Sequence, residues 1–234
     1  LKARAASAPF PFLLANVRET ASGRPFAAPN LRPSTLVSAA GVKVGLVGVT
    51  TSRTATSTLA ANFAGLAVDP LAPAIEREAR RLRSDGAQVV VVLAHAGASC
   101  RRFEAPEDTA SCERDAEIFD VARALPSGLV DAIVAGHTHG GVAHVVAGIP
   151  IIEAEEYGQA FGRVDLTVDR RTGAVRLRQL FRPQFFCPKG ERPPACSPPD
   201  YEGAPVTPDP AVARVLAPAF AAAAARKAEP LGVE

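Results

Sequence analysis

The sequence has no methionine and no tryptophan, and only two tyrosines, four histidines and four cysteines among 234 residues. Without a methionine, Leu1 is not an initiator, and chain is expected upstream of it. No apolar run reaches the ~18 residues of a membrane span. No signal-peptide pattern opens the chain. Charge of one sign is also missing. Lys+Arg number 26 against 24 Asp+Glu, a net charge of +2. That balance excludes a partner held by bulk electrostatics, whether nucleic acid or an acidic membrane surface. What is present is globular: 47% hydrophobic residues and 21% charged. The length suits one domain, or one with an appendage. Such a chain can bury roughly 70% of its unfolded surface.

No two cysteines stand in a CxxC arrangement, so a zinc knuckle is not expected. They form two local pairs, Cys100 with Cys112 and Cys187 with Cys196, each bracketing a loop rich in Pro, Ser, Glu and Arg. Four free thiols is one reading. Two local disulfides in an oxidising compartment is the other, and the pairing in sequence favours it.

Hydrophobic periodicity divides the chain. Residues 10–17 (FPFLLANV) and 41–50 (GVKVGLVGVT) read as strands. Residues 69–86 read as a helix, with Asp69 as cap, Pro70 in the first turn and Gly86 as stop. Leu71, Ile75, Ala79 and Leu82 supply its apolar face. Residues 88–97 (QVVVVLAHAG) are apolar on both faces, as in a central strand. A polar loop over 98–114, a helix over 115–125 and a strand over 129–136 follow. After Gly141 come two hairpins, turning at Ala147-Gly148 and at Arg170 to Gly173. Residues 183–210 are Pro-rich and read as a surface loop or linker. An Ala-rich helix follows, capped by Asp209 and interrupted by Pro218. An α/β layer followed by antiparallel hairpins predicts an α/β fold of two packed mixed sheets flanked by helices.

The chemistry concentrates in "DAIVAGHTHGG", residues 131–141. On an extended backbone, His137 and His139 project to one side. They do so from the carboxyl end of a strand, the edge where open α/β sheets place ligands. Gly136, Gly140 and Gly141 let the backbone bend there. His95 ends another strand and precedes Gly97. Neighbouring parallel strands would gather the three imidazoles, which suit borderline divalent metals such as zinc. His144, inside a hairpin strand, reads as a core residue. Asn16 carries no assigned role. "TTSRTATST" (50–58) lacks the glycines and lysine of a phosphate loop and reads as solvated.

The segments FPFLLANV, GVKVGLVGVTT, VVVVLAHAG, VDAIVAGHTH and IPIIEAEEYGQAFGRVDLTVD resemble the calcineurin-like metallophosphoesterase superfamily, and more closely its 5′-nucleotidase branch. They occur in the family's order over residues 8–182. The resemblance implies an αββα sandwich and hydrolysis of phosphate esters, such as 5′-nucleotides or nucleotide sugars, by two divalent metals (zinc, manganese, iron or cobalt). By position, His95 and His137 would bind one metal and His139 the other. The family's remaining ligands lie in Asp-x-His, Gly-Asp-x-x-Asp and Asn-His elements, and none of these occurs in the chain. The expectation is therefore a catalytic domain lacking its N-terminal half over residues 1–182. A Pro-rich linker (183–208) and a connector helix (209–234) toward an absent C-terminal substrate domain would follow. Such a piece would hold at most one metal and be inactive alone, in a protein of the periplasm, cell envelope or medium. The opposing expectations are a non-enzymatic module with one structural metal or none, and a hydrolase of the same fold acting on another ester.

Overall fold

The computed structural model describes residues 2–169, 171–187, 196 and 198–229. They belong to two compact units, Leu1–Gln184 and Phe185–Glu234. The first unit opens with α1 (Lys2–Ser7), β1 (Phe12–Leu13), β2 (Val17–Glu19), β3 (Leu31–Arg32), β4 (Ser34–Ala39) and β5 (Val42–Thr50). Two helical turns, α2 (Thr54–Ser57) and α3 (Ala60–Phe63), lead through β6 (Leu66–Val68) to α4 (Leu71–Ser84) and β7 (Val89–His95). Then come α5 (Glu117–Ala124), β8 (Ala132–Val134), β9 (Gly141–Val146), β10 (Ile149–Ala154), β11 (Ala160–Val168) and β12 (Val175–Phe185).

The fold is mixed α/β, as the sequence pattern implies. Among the described residues its sheets are one of six strands, in the order β4-β5-β7-β8-β10-β9, and three of two strands. Within the large sheet β5, β7, β8 and β10 run parallel, and the edge strands β4 and β9 run antiparallel to their neighbours. All four carboxyl ends of the parallel strands therefore meet at one edge.

The two faces of this sheet differ. On one, α4 buries Leu71, Ile75, Ala79 and Leu82, and α5 buries Ile118 and Val121. Gly45, paired in register with Val90, marks this face: a Cβ there would stand 2.9 Å from Leu82 Cδ1. On the other, Leu166 and Val168 of β11 line a cavity with Val44, Val89 and Val91. Toward the carboxyl edge that cover ends. Leu93 and Val134, register partners on β7 and β8, remain 39% and 38% exposed.

One detail departs from the sequence reading. Asp69 does not cap α4; Pro70 is the capping residue and no side chain bonds the helix start. The Asp69 carboxylate instead accepts from Arg18 Nε at 2.7 Å. A cation within reach outcompetes the amides of the first turn, because a charge-assisted bond is the stronger one. The first hairpin does turn at Ala147-Gly148, with φ of 51° and 77°, the paired positive values of a tight two-residue turn. Of the second turn, Arg170 lies outside the described residues.

In the second unit, Cys187 and Cys196 form a disulfide with Cα atoms 5.8 Å apart. The stretch between them, residues 188–195, lies outside the described residues, as does residue 197. Helix α6 (Pro210–Lys227) follows. The Asp209 carboxylate caps it, accepting from Ala211 N at 2.6 Å and Val212 N at 3.1 Å, and the helix continues through Pro218.

Candidate metal site at the strand ends

The site begins with strand termination. Thr50 ends β5 and His95 ends β7, directly opposite each other in register. Buried Asn16 fixes Thr50 from both sides: its Nδ2 donates to Thr50 O at 2.7 Å and its Oδ1 accepts from Thr50 N at 2.9 Å. Asp131, just before β8, is 4% exposed and anchors that strand's start. Its carboxylate accepts from Arg83 Nη2 at 2.7 Å, Val90 N at 2.9 Å and Arg178 Nη2 at 3.1 Å.

Beyond their last paired residues, the loops after β7 and β8 interleave. Gly136 N donates to Ala96 O at 3.3 Å, and Cys100 N to Gly141 O at 3.0 Å. Gly140 packs against Ala98 O and Ser99, each 2.8 Å from where a Cβ would stand. The Cys100–Cys112 disulfide closes the loop after β7, its Cα atoms 3.9 Å apart. The backbone at the two histidines is not extended. His137 has φ 86° and His139 φ 56°. Such conformations cost non-glycine residues about 1–3 kcal/mol each and persist where the surroundings impose them, typically at functional sites.

The left-handed turns send the two rings to different partners. His137 Nδ1 lies 3.2 Å from His95 Nε2, with ring centroids 4.8 Å apart. His139 Nδ1 lies 2.7 Å from Glu156 Oε2, and its ring meets the edge of Tyr157 at 5.6 Å. Burial, then the neighbouring charges of His137 and His139, hold the His95 pKa below the usual histidine value. The neutral imidazole, the form that ligates, is thereby favoured.

The donor set fits a divalent metal. Two imidazole nitrogens bound at about 2.05 Å to a tetrahedral ion stand about 3.3 Å apart. His95 Nε2 and His137 Nδ1 stand at 3.2 Å. With Glu156 accepting from Nδ1–H, His139 keeps its lone pair on Nε2, the arrangement by which a carboxylate orients a ligating histidine.

A different cluster comes closer together. Among the described residues, Cys100, Cys112 and His144 have ligand atoms all within 4.8 Å of one another. It is no metal site. The sulfurs are joined in a disulfide and have no thiolate to offer. His144 is fully buried, with Nδ1 3.0 Å from Pro106 O and Nε2 3.1 Å from Arg102 O.

Glu153, on β10, went unremarked in the sequence. It is 4% exposed and lies beneath both histidine loops. Oε2 accepts from Ala98 N at 3.1 Å and Oε1 from Thr138 Oγ1 at 2.8 Å. Burial raises its pKa, against the opposing effect of Thr138 and of the Ala98, Gly140 and Thr138 amides. A carboxylate inside the apolar run IPIIEA is the signal that marks it, since a buried acid requires partners. Glu156, one turn of chain later, has no comparable signal.

No family model matches the chain. It is 29% identical over 163 residues to endonuclease YhcR of Bacillus subtilis (strain 168), covering 70% of this chain and 12% of that protein. It is 25% identical over 188 residues to the trifunctional nucleotide phosphoesterase protein YfkN of the same organism, covering 73% and 12%. The crystal structure of YfkN, a calcineurin-like phosphoesterase, superposes with a TM-score of 0.64 at 21% identity, over 92% of this chain and 63% of that one. A 5′-nucleotidase precursor from Thermus thermophilus gives 0.65 at 22% identity, over 97% and 40%. The chain thus spans 12% of the length of each of these two curated relatives, and at the structural identities the likeness is one of fold.

Proposed function

We propose that the chain is a member of the calcineurin-like phosphoesterase superfamily, on its 5′-nucleotidase side, in keeping with its relatives, and that it carries part of a metal centre that hydrolyses phosphate esters. The observation that carries this reading is the pair of ring nitrogens, His95 Nε2 and His137 Nδ1, held 3.2 Å apart at the carboxyl edge of two adjacent parallel strands. A divalent ion held there supplies a Lewis acid for phosphoryl oxygens and lowers the pKa of a bound water. The chain's own part is to keep His95 neutral, to turn His137 toward it, and to fix the His139 tautomer through Glu156.

Zinc, manganese, iron and cobalt all suit imidazole with carboxylate donors. The substrate class we propose is a nucleotide or nucleotide sugar, in keeping with the nucleotide phosphoesterase and 5′-nucleotidase named among its relatives. We place the protein in an oxidising compartment, the periplasm, cell envelope or medium, on the two disulfides.

Within the 234 residues, Asp-x-His, Gly-Asp and Asn-His do not occur. Two dications about 4 Å apart repel by roughly 16 kcal/mol at an effective dielectric of 20, and a bridging carboxylate is what offsets that. This chain is therefore expected to bind one divalent ion. The full reaction would draw its carboxylates from further polypeptide packed at the open edge, where Leu93 and Val134 are exposed. Calorimetry with zinc, paired with p-nitrophenyl phosphate turnover, tests the reading. One site with background turnover is expected. No binding would overturn it in favour of a non-enzymatic module, and two tight sites with brisk turnover would contradict the one-metal assignment.

A further inference from the structure

We infer that Glu153 is the positioning residue of the histidine site: its buried carboxylate ties the loop after β7 to the loop after β8 and thereby sets the distance between His95 and His137. The inference rests on reading those two histidines as ligands, although the tie itself is a property of the metal-free chain.

Four observations converge on it. Each oxygen of Glu153 reaches a different loop: Oε2 takes Ala98 N, three residues beyond His95, and Oε1 takes the hydroxyl of Thr138, the residue between His137 and His139. Thr138 Oγ1 also lies 2.8 Å from Ala98 O, so its one O–H is shared between the Glu153 carboxylate and a carbonyl of the other loop. Gly97 has no room for a side chain. A Cβ there would overlap Glu153 Oε2 and stand 2.5 Å from Gly136 O and 2.7 Å from Thr138 Oγ1. Finally, His137 and His139 both hold positive φ, which an unsupported loop would relax.

The chemistry of the group explains the choice of residue. An ionised carboxylate only accepts, with lone pairs enough for several donors. The Thr138 hydroxyl and the Ala98, Thr138 and Gly140 amides point at it from both loops. Glutamine accepts at one end only and turns an N–H₂ toward remaining amides, so it should keep part of the tie. Leucine keeps the volume and none of the tie. Glu153 does not itself act as a ligand, because both of its oxygens are engaged by the loops.

The test uses the 234-residue chain with Glu153→Gln, Glu153→Leu and Gly97→Ala, and His144→Ala as a destabilised control whose ring bonds the far part of the loop after β7, at Arg102 and Pro106, and not Glu153. Three quantities are read. They are zinc affinity by calorimetry, the nuclear Overhauser contact between the His95 and His137 rings in metal-free protein, and hydrogen exchange at the Ala98 and Gly140 amides. Glu153→Leu should lose the ring contact and the amide protection and weaken zinc by about 10- to 100-fold, as losses of ligand-orienting partners do. Glu153→Gln should recover part of that, and Gly97→Ala should mimic the loss. His144→Ala should melt earlier with all three readouts intact. If Glu153→Leu does not fold, the Gln and Gly97→Ala variants carry the same comparison. Unchanged ring contact and amide protection in the folded variants would overturn the inference. Failure of the wild-type chain to bind zinc would overturn the proposed metal reading instead, since the two metal-free readouts still judge Glu153.

Discussion

His144 and His137 stand seven residues apart in the chain and in opposite chemical situations. His144 sits in β9, fully buried, and both its ring nitrogens face backbone carbonyls of the disulfide-closed loop. His137 sits in a left-handed turn at the sheet edge, its Nδ1 against His95 Nε2. The first ring has its hydrogen-bonding capacity taken up in holding a loop. In the second pair, two ring nitrogens face each other 3.2 Å apart, the spacing that two ligands of one tetrahedral ion would have. Sequence neighbourhood does not separate the two cases. What separates them is which backbone carbonyls the fold brings within reach.

The largest expected effect separates the two roles. Replacing His95 or His137 with alanine should weaken zinc binding by on the order of 100-fold or more, because the binding free energy is shared among few ligands. Thermal stability should barely move, as at other solvent-accessible positions. His144→Ala should do the reverse. It should cost roughly 2–4 kcal/mol, from a buried cavity and the loss of the ring N–H donated to a loop carbonyl, with zinc affinity unchanged. Calorimetry and thermal melts on the three variants decide it.

Next in size is the crosslink. Replacing Cys100 and Cys112 with serine should remove roughly 2–3 kcal/mol of stability, seen in denaturant melts. Zinc affinity should fall less, because the loop after β7 keeps its bonds to Gly141 and Glu153.

Acidification should act on the site and the fold with defined signs. The folded His95 pKa is lowered, so its contribution to stability is present above its ordinary value near 6.5 and fades as pH falls through the lowered value. Zinc affinity should decline over the same range as His95 protonates. Glu153 has the opposite sign. Its raised pKa gives a contribution present below about 4.5 that is lost as pH rises through the folded value. Glu153→Gln should therefore flatten the fall in stability that begins just above pH 4.5, measured by melting temperature against pH.

The smallest effect belongs to Glu156→Gln. Glutamine still accepts from His139 Nδ1–H, so zinc affinity should change by no more than about 10-fold. A larger loss would show that His139 carries more of the binding than the His95–His137 pair.

Much of the architecture is legible in the sequence because apolar periodicity is a direct consequence of packing. The α4 face, the central strand β7 and the Ala147-Gly148 turn all follow from residue spacing and turn chemistry. The pattern misleads where tertiary partners intervene. Asp69 leaves the helix start for Arg18, fifty-one residues away. Local spacing implies an extended backbone at residues 137–139, while the interleaving of two glycine-containing loops imposes positive φ there. Glu153 and Glu156 reach the histidine region only because β10 lies beside β8, a pairing that local pattern does not specify.

The most direct test titrates zinc into the isolated chain and into the His137→Ala and His144→Ala variants, following heat and the histidine ring resonances together. The account predicts one zinc per wild-type chain with shifts at His95 and His137, near-complete loss in His137→Ala and full retention in His144→Ala. Zinc binding that survives in His137→Ala, or shifts confined to His144, would contradict it.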